Sequence, residues 1–256
     1  MSNASLISSR VRSVVRSALD FIYPGICANC DASCEGGAPL CAACSEKLAR
    51  LESAPSCDTC ALPIPYDQAP CPWCGGKGFT PLQRIVRLGN FEDPLRHLIH
   101  KLKYHARWPL AEQLADRLFE QERVQTLLKN ADALVPVPLH RLRQIARGYN
   151  QATVIADRLG SRTGLPVAHP VVRLKRTEMQ THLHSRQRRE QNLRDAFALV
   201  RPQTIAGKRV VIVDDVMTTA ATIRTVARAL RSARPAGISA IVLAVADPRG
   251  RGFEAI

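Results

Sequence analysis

The stretch "VVIVDDVMTTAATI" at Val210–Ile223 places two adjacent carboxylates, Asp214 and Asp215, after an aliphatic run and follows them with Thr218, Thr219 and Thr222. The run reads as a buried β-strand and the residues from about Thr219 as a helix. The carboxylates then emerge at the carboxyl end of a strand, where open parallel sheets take their ligands. Hydroxyls, amides and the positive end of the helix dipole at the start of that helix suit a phosphate. Acidic acceptors beside a phosphate cradle describe a sugar phosphate: Asp214 and Asp215 for the ribose hydroxyls, and the loop of Thr218, Thr219, Ala220, Ala221 and Thr222 for the 5′-phosphate. The plainer alternative is an acidic strand end and a threonine-capped helix; the loop standing in register with the acids favours the site. A P-loop is excluded, because no G-x-x-x-x-G-K-[ST] occurs and "AGKR" at Ala206–Arg209 lacks the first glycine and the hydroxyl.

A second chemistry is confined to residues 27–74, which hold all 9 cysteines. Cys27, Cys30, Cys41 and Cys44 form C-x2-C-x10-C-x2-C, and Cys57, Cys60, Cys71 and Cys74 repeat that spacing, an internal duplication. Two C-x2-C turns can aim four thiolates at one tetrahedral ion, so two structural zinc ions are expected, with disulfides disfavoured by the odd cysteine count and a reducing compartment. Sequential and crossed pairing of the four turns have the same spacing. Cys34 is left over, and sites closed by four thiolates have no open position for substrate.

The elements that must hold the acidic pair follow from texture. After "GGKGFT" at Gly75–Thr80 the chain alternates apolar runs with helical patterns: helices in "PLRHLIHKLKYHARWPLAEQLADRLFEQ", a strand in "DALVPVPL", a helix in "NQATVIADRLGSRTG", strands in "PVAHPVVRL", "FALV", "KRVVIVDD" and "ISAIVLAVAD", and a helix over about 219–234. Strands apolar on both faces predict an α/β fold with a largely parallel, covered sheet. The 36 Lys+Arg against 22 Asp+Glu, a formal net charge of +14, favour anionic partners. No run reaches the length of a membrane span and no signal-peptide pattern opens the chain, so a cytoplasmic protein is expected. "SLISSRVRSVVRSALDFI" sets its apolar residues near one helical face and reads as a helix docked on its own protein rather than on a membrane surface.

"VVIVDDVMTTAAT" resembles the phosphoribosyl pyrophosphate (PRPP) signature of type I phosphoribosyltransferases, and "VPVPLHRLRQIARGYNQA" at Val135–Ala152, with "LIHKLKY" and "NLRDAFAL", resembles the ComF competence family. The resemblance implies a phosphoribosyltransferase type I-like parallel sheet with helices on both faces, preceded by a small zinc-ribbon module. Residues 1–24 would form an N-terminal helix, 25–78 the double zinc ribbon, and 79–256 the phosphoribosyltransferase-like domain. It implies that Asp214 and Asp215 hold the ribose as the catalytic pair, that Thr218–Thr222 hold the 5′-phosphate, and that the Val137, Pro138 to Arg141 turn faces pyrophosphate, with Arg147 also binding substrate and Mg²⁺ accompanying PRPP. A nucleophile would displace pyrophosphate at the anomeric carbon; a PRPP sensor or nucleic-acid-binding protein retaining the fold is the other reading. Two positions depart from the family pattern: Ala220 replaces a usual glycine, and Ile145 an arginine often found there.

The family's role implies incoming single-stranded DNA as a partner, and competence-machinery proteins as others. "RLKRTEMQTHLHSRQRREQNLR" at Arg173–Arg194 carries Arg173, Lys175, Arg176, Arg186, Arg188, Arg189 and Arg194 without an apolar period. It reads as a solvated hairpin or loop; the resemblance to type I phosphoribosyltransferases implies a mobile hood over the site at this position, with Arg186, Arg188 and Arg189 as the expected DNA contacts.

Overall fold

The computed structural model describes residues 25–34, 38–64, 70–104, 108–174 and 196–249. The expected N-terminal helix, and Arg186, Arg188 and Arg189, lie outside the described residues. The chain divides into two compact units, Met1–Arg50 and Leu51–Ile256, so the second cysteine tetrad belongs to the unit that holds the sheet.

In the first unit a short antiparallel ladder joins β1 (Gly25–Ile26) to β2 (Ser33–Cys34), and most of α1 (Ala42–Ser53) follows, its last residues belonging to the second unit. The tetrads pair sequentially: the sulfurs of Cys27, Cys30, Cys41 and Cys44 lie within 4.8 Å of one another, as do those of Cys57, Cys60, Cys71 and Cys74. A tetrahedron with zinc–sulfur bonds of about 2.3 Å has edges of roughly 3.8 Å. Cys30 and Cys41 are 3.7 Å apart, and Cys57–Cys74 and Cys60–Cys71 are each 3.8 Å, so the donors fit a zinc ion without rearrangement. Three of the four turns share one backbone device, a left-handed residue just after the second cysteine: Asp31 (φ 60°), Ala61 (φ 60°) and Gly75 (φ 58°). The fourth differs, because Cys44 already lies in the first turn of α1. Repeated spacing here does not mean repeated backbone.

The second unit is built on a four-stranded, wholly parallel sheet in the order β3 (Ile85–Asn90), β8 (Gly237–Val245), β7 (Arg209–Met217), β4 (Ala133–Pro136). Between β3 and β4 run α2 (Leu95–Tyr104), α3 (Trp108–Glu120) and α4 (Glu122–Lys129). After β4 come α5 (Arg141–Arg147) and α6 (Gln151–Thr163), then an antiparallel pair, β5 (Val171–Arg173) with β6 (Phe197–Leu199), and α7 (Ala221–Arg231) joins β7 to β8. The expected strand over "PVAHPVVRL" is broken into a single parallel bridge, Val167 to Leu134, and the short β5. Pro166 and Pro170 lack the amides that a continuous strand would donate.

Side-chain alternation assigns the faces of β7. Val210 and Ile212 share a core with Ile223, Val226 and Leu230 of α7, with Val171 and Phe197 of the hairpin, and with Cys60, Ala61 and Leu62 of the second tetrad. Val211 and Val213 point to the opposite face, and α6 packs on β7 and β4. The bidentate ion pair of Arg158 with Asp116 (2.9 and 2.7 Å) fixes α6 to α3.

The motif "RGYNQ" at Arg147–Gln151 closes this layer. Gly148, at φ 81°, ends α5 in the left-handed region that an L side chain resists. Asn150 then serves two elements: its Oδ1 accepts from the Ala152 amide to cap α6, and its Nδ2 donates to the Val137 carbonyl just beyond β4. The Tyr149 hydroxyl and the Gln151 amide both donate to the Leu102 carbonyl in the last turn of α2. Replacing Asn150 by alanine should remove cap and strap together and lower stability by about 1–2 kcal/mol; denaturant unfolding at matched m-value checks this.

Candidate functional site

Asp214 and Asp215 occupy the carboxyl half of β7, as the sequence predicts, and alternation sends them to opposite faces of the strand. Asp215 turns toward α2, where Lys103 Nζ lies 3.4 Å from Oδ2, both side chains being largely buried. Asp214 lies on the face of the β5–β6 hairpin and feels the charge of Arg173, whose guanidinium sits 5.4 Å over the Phe197 ring. The Asp215 amide donates to Asp214 Oδ1 at 2.9 Å, which locks the first carboxylate against the backbone of the second.

These surroundings load the two acids unequally. Burial first, and then the negative charge of Asp215, push Asp214 up to about 7, against the opposing pull of the Asp215 amide, Lys103 and Arg173. Asp214 therefore changes protonation in the neutral range, beside a carboxylate that already holds a cation.

Of the other predicted residues, the turn after β4 and the loop after β7 leave the carboxyl ends of neighbouring parallel strands. The Val137 amide donates to the Val213 carbonyl at 2.9 Å, which draws the turn beginning Val137–Pro138 alongside the acidic pair. Arg141 is exposed at the first position of α5, and the Arg147 side chain donates to Gln151 Oε1 at 3.0 Å. Thr218, Thr219 and Thr222 are partly exposed, whereas Ala220 and Ala221 are buried at 3% and 5% and offer only their backbone. Ala220 has φ 59°, so the methyl stands in the left-handed conformation that glycine would take without strain. Ala220 precedes α7 and has no side chain to cap it; the Ala221 amide instead donates to Thr219 Oγ1 at 3.4 Å, and the next amides of the first turn face the loop, where an anion could take them.

Sequence reasoning missed Lys103, Tyr149 and Arg173. The first two lie inside "LIHKLKY" and "RGYNQ", whose residue types signalled a role but whose spacing did not show that α2 and α6 meet at Leu102. Arg173 opens the basic segment in sequence, yet in the structure it is the last residue of β5, its guanidinium over an aromatic ring.

The phosphoribosyl transferase domain family matches residues 106–254, and the double zinc ribbon domain family matches 18–76. The DNA utilization protein YhgH of Salmonella typhimurium is 35% identical over 196 residues, 75% of this chain and 83% of the relative. Competence protein F of Haemophilus influenzae is 33% identical over 198 residues, 75% and 84% of the two chains. Competence protein ComFC of Bacillus subtilis is 32% identical over 111 residues, 43% of each. No helix among the described residues is long and apolar enough to cross a membrane.

The pH dependence of stability follows from Asp214. Its folded pKa is raised, so the native state holds a proton that the unfolded chain has released, and stability falls as pH rises from about 4 toward 7. Asp214→Asn should therefore be more stable than the wild type at pH 8, by on the order of 1–2 kcal/mol after solvent screening, with the gap closing below about pH 4. Urea unfolding across that range checks the sign.

Proposed function

The chain belongs to the ComF competence family, whose plan is a double zinc ribbon ahead of a phosphoribosyl transferase domain, and on that premise we propose that it binds PRPP at the carboxyl end of β7. The observation that carries this reading is the junction from β7 to α7, where two carboxylates on opposite faces of one strand are followed by a left-handed residue and the threonine-lined amino end of a helix. Asp214 and Asp215 accept hydrogen bonds from the ribose 2′- and 3′-hydroxyls. The amides of the 218–222 loop, with the hydroxyls of Thr218, Thr219 and Thr222, take the 5′-phosphate, and the Val137–Arg141 turn with Arg147 faces the pyrophosphate. Mg²⁺ bound with PRPP would offset the pyrophosphate charge and hold its oxygens against the ribose.

In the catalytic form of this reading a nucleophile bonds to the anomeric carbon while the carbon–oxygen bond to pyrophosphate breaks and the pyrophosphate departs with the electron pair. The acidic pair stabilises the positive charge that develops on the ribose ring. The names of the relatives, a DNA utilization protein and competence proteins, together with the charge of +14, support single-stranded DNA as the partner polymer, held electrostatically with Arg186, Arg188 and Arg189 as contacts. The non-catalytic form keeps PRPP binding and couples it to that DNA without turnover.

Ala220 already stands at φ 59°, so its strain resides in the fold and is not deferred to binding. Calorimetry with Mg²⁺ and PRPP should show binding by the wild type, affinity within about threefold for Ala220→Gly, and a loss of at least tenfold for the double variant Asp214→Asn, Asp215→Asn. A double variant that binds PRPP as the wild type does contradicts the site. Pyrophosphate release with and without single-stranded DNA separates the catalytic from the sensing form.

A further inference from the structure

Arg87 lies in the middle of β3, inside the sheet unit, and its side chain is 0% exposed. It shares its face of the strand with Ile85, whose side chain belongs to the core cluster that contains Cys57, Cys60 and Cys71. Nη2 donates to the carbonyls of Ala54 (3.2 Å) and Pro55 (3.4 Å), just ahead of the Cys57 turn. Nε and Nη1 are buried without a hydrogen-bond partner among the described residues, and no ion pair to Arg87 occurs among them.

A buried guanidinium without a carboxylate is costly, and further cations surround it. Arg84 Nε donates to the Asp58 carbonyl at 3.0 Å; Arg123 donates to Ser56 Oγ at 3.1 Å and to the Glu52 carbonyl at 3.3 Å. Three arginines thus grip residues 52–58, the lead into the second tetrad, and the Ile85 amide donates to the Thr59 carbonyl inside the Cys57–Cys60 turn. Burial and the charge of Arg123 bring Arg87 down to about 10, while Glu92 and Cys60 pull the other way.

Four thiolates around one Zn²⁺ make a net dianion. We propose that the zinc-loaded Cys57–Cys60–Cys71–Cys74 centre is the counter-charge for the buried Arg87, so that the second zinc ion is part of the electrostatic balance of the sheet unit rather than of a detachable ribbon. The two centres are unequal in consequence. In the second, removing zinc takes the dianion away from a buried cation that has no ion-pair partner among the described residues, and the strain falls on β3, an edge strand of the sheet.

The test is zinc competition with a chelator of known affinity on the full-length, zinc-loaded chain, comparing the wild type with Arg87→Met and Arg87→Lys. Each is also measured with Cys30→Ser, which disables the first centre and identifies the ion that responds. The expected result is two ions per wild-type chain, the second weakened about 10–100-fold by Arg87→Met, as for other outer-shell partners, and largely restored by Arg87→Lys, with the first unchanged. Thermal unfolding supplies the other half of the cycle: stripped of zinc, Arg87→Met should unfold no earlier than the stripped wild type. Unchanged affinity of the second ion, or an equal loss of stability with and without zinc, would overturn the proposal and reduce Arg87 to a donor for the Ala54 and Pro55 carbonyls.

Discussion

Two like charges at the end of one buried strand repel each other, and the sheet unit is arranged around that repulsion. Because β-strand side chains alternate, the pair can be divided between two faces, and each face supplies its own cation: Lys103 for Asp215, Arg173 for Asp214. The division needs neighbours that do not move. Tyr149 and Gln151 hold the Leu102 carbonyl and thereby the turn of α2 that carries Lys103. The β5–β6 hairpin and the Phe197 ring hold Arg173. Asn150 ties the start of α6 to the chain leaving β4, so the same motif also strings the Val137 turn beside the acids. Residues that could be read as ligands are in several cases the scaffold that aims the ligands.

How much of this was legible depended on the range of the interactions. The aliphatic runs of β7 and β8, the helix at α7 and the position of Asp214 and Asp215 were readable because hydrophobic period and strand-end chemistry are local. The eight tetrad cysteines were readable from spacing alone, but sequential pairing needed coordinates, since crossed pairing has identical spacing. Lys103 with Asp215 spans more than a hundred positions, and no local signal encodes it. "PVAHPVVRL" misled because its apolar alternation suits a strand while two missing proline amides forbid a long one. Ala220 was recognisable as a departure from glycine, but only the backbone angle shows that the methyl is packed into the core in the left-handed conformation.

The cysteine duplication also looks different from the two levels. In sequence the tetrads are one module repeated. In the structure the second falls in the unit that carries the sheet, its cysteines in one core with Ile212, Val226 and Leu230, and the residues leading into it gripped by Arg84, Arg87 and Arg123. A chain with formal net charge +14 places one buried cation, Arg87, where a dianionic metal centre can balance it, and places its acidic pair where partly buried cations balance it.

The strand end thus holds its two carboxylates in unequal surroundings, Asp215 against Lys103 and Asp214 raised by burial. Carboxyl-carbon NMR titration of Asp214, assigned with Asp214→Asn and repeated in Lys103→Met, measures this directly. The account predicts a midpoint near the value of about 7 for the wild type and a higher one once the cation is gone. A midpoint at the ordinary aspartate value of about 3.9, unmoved by the loss of Lys103, would contradict it.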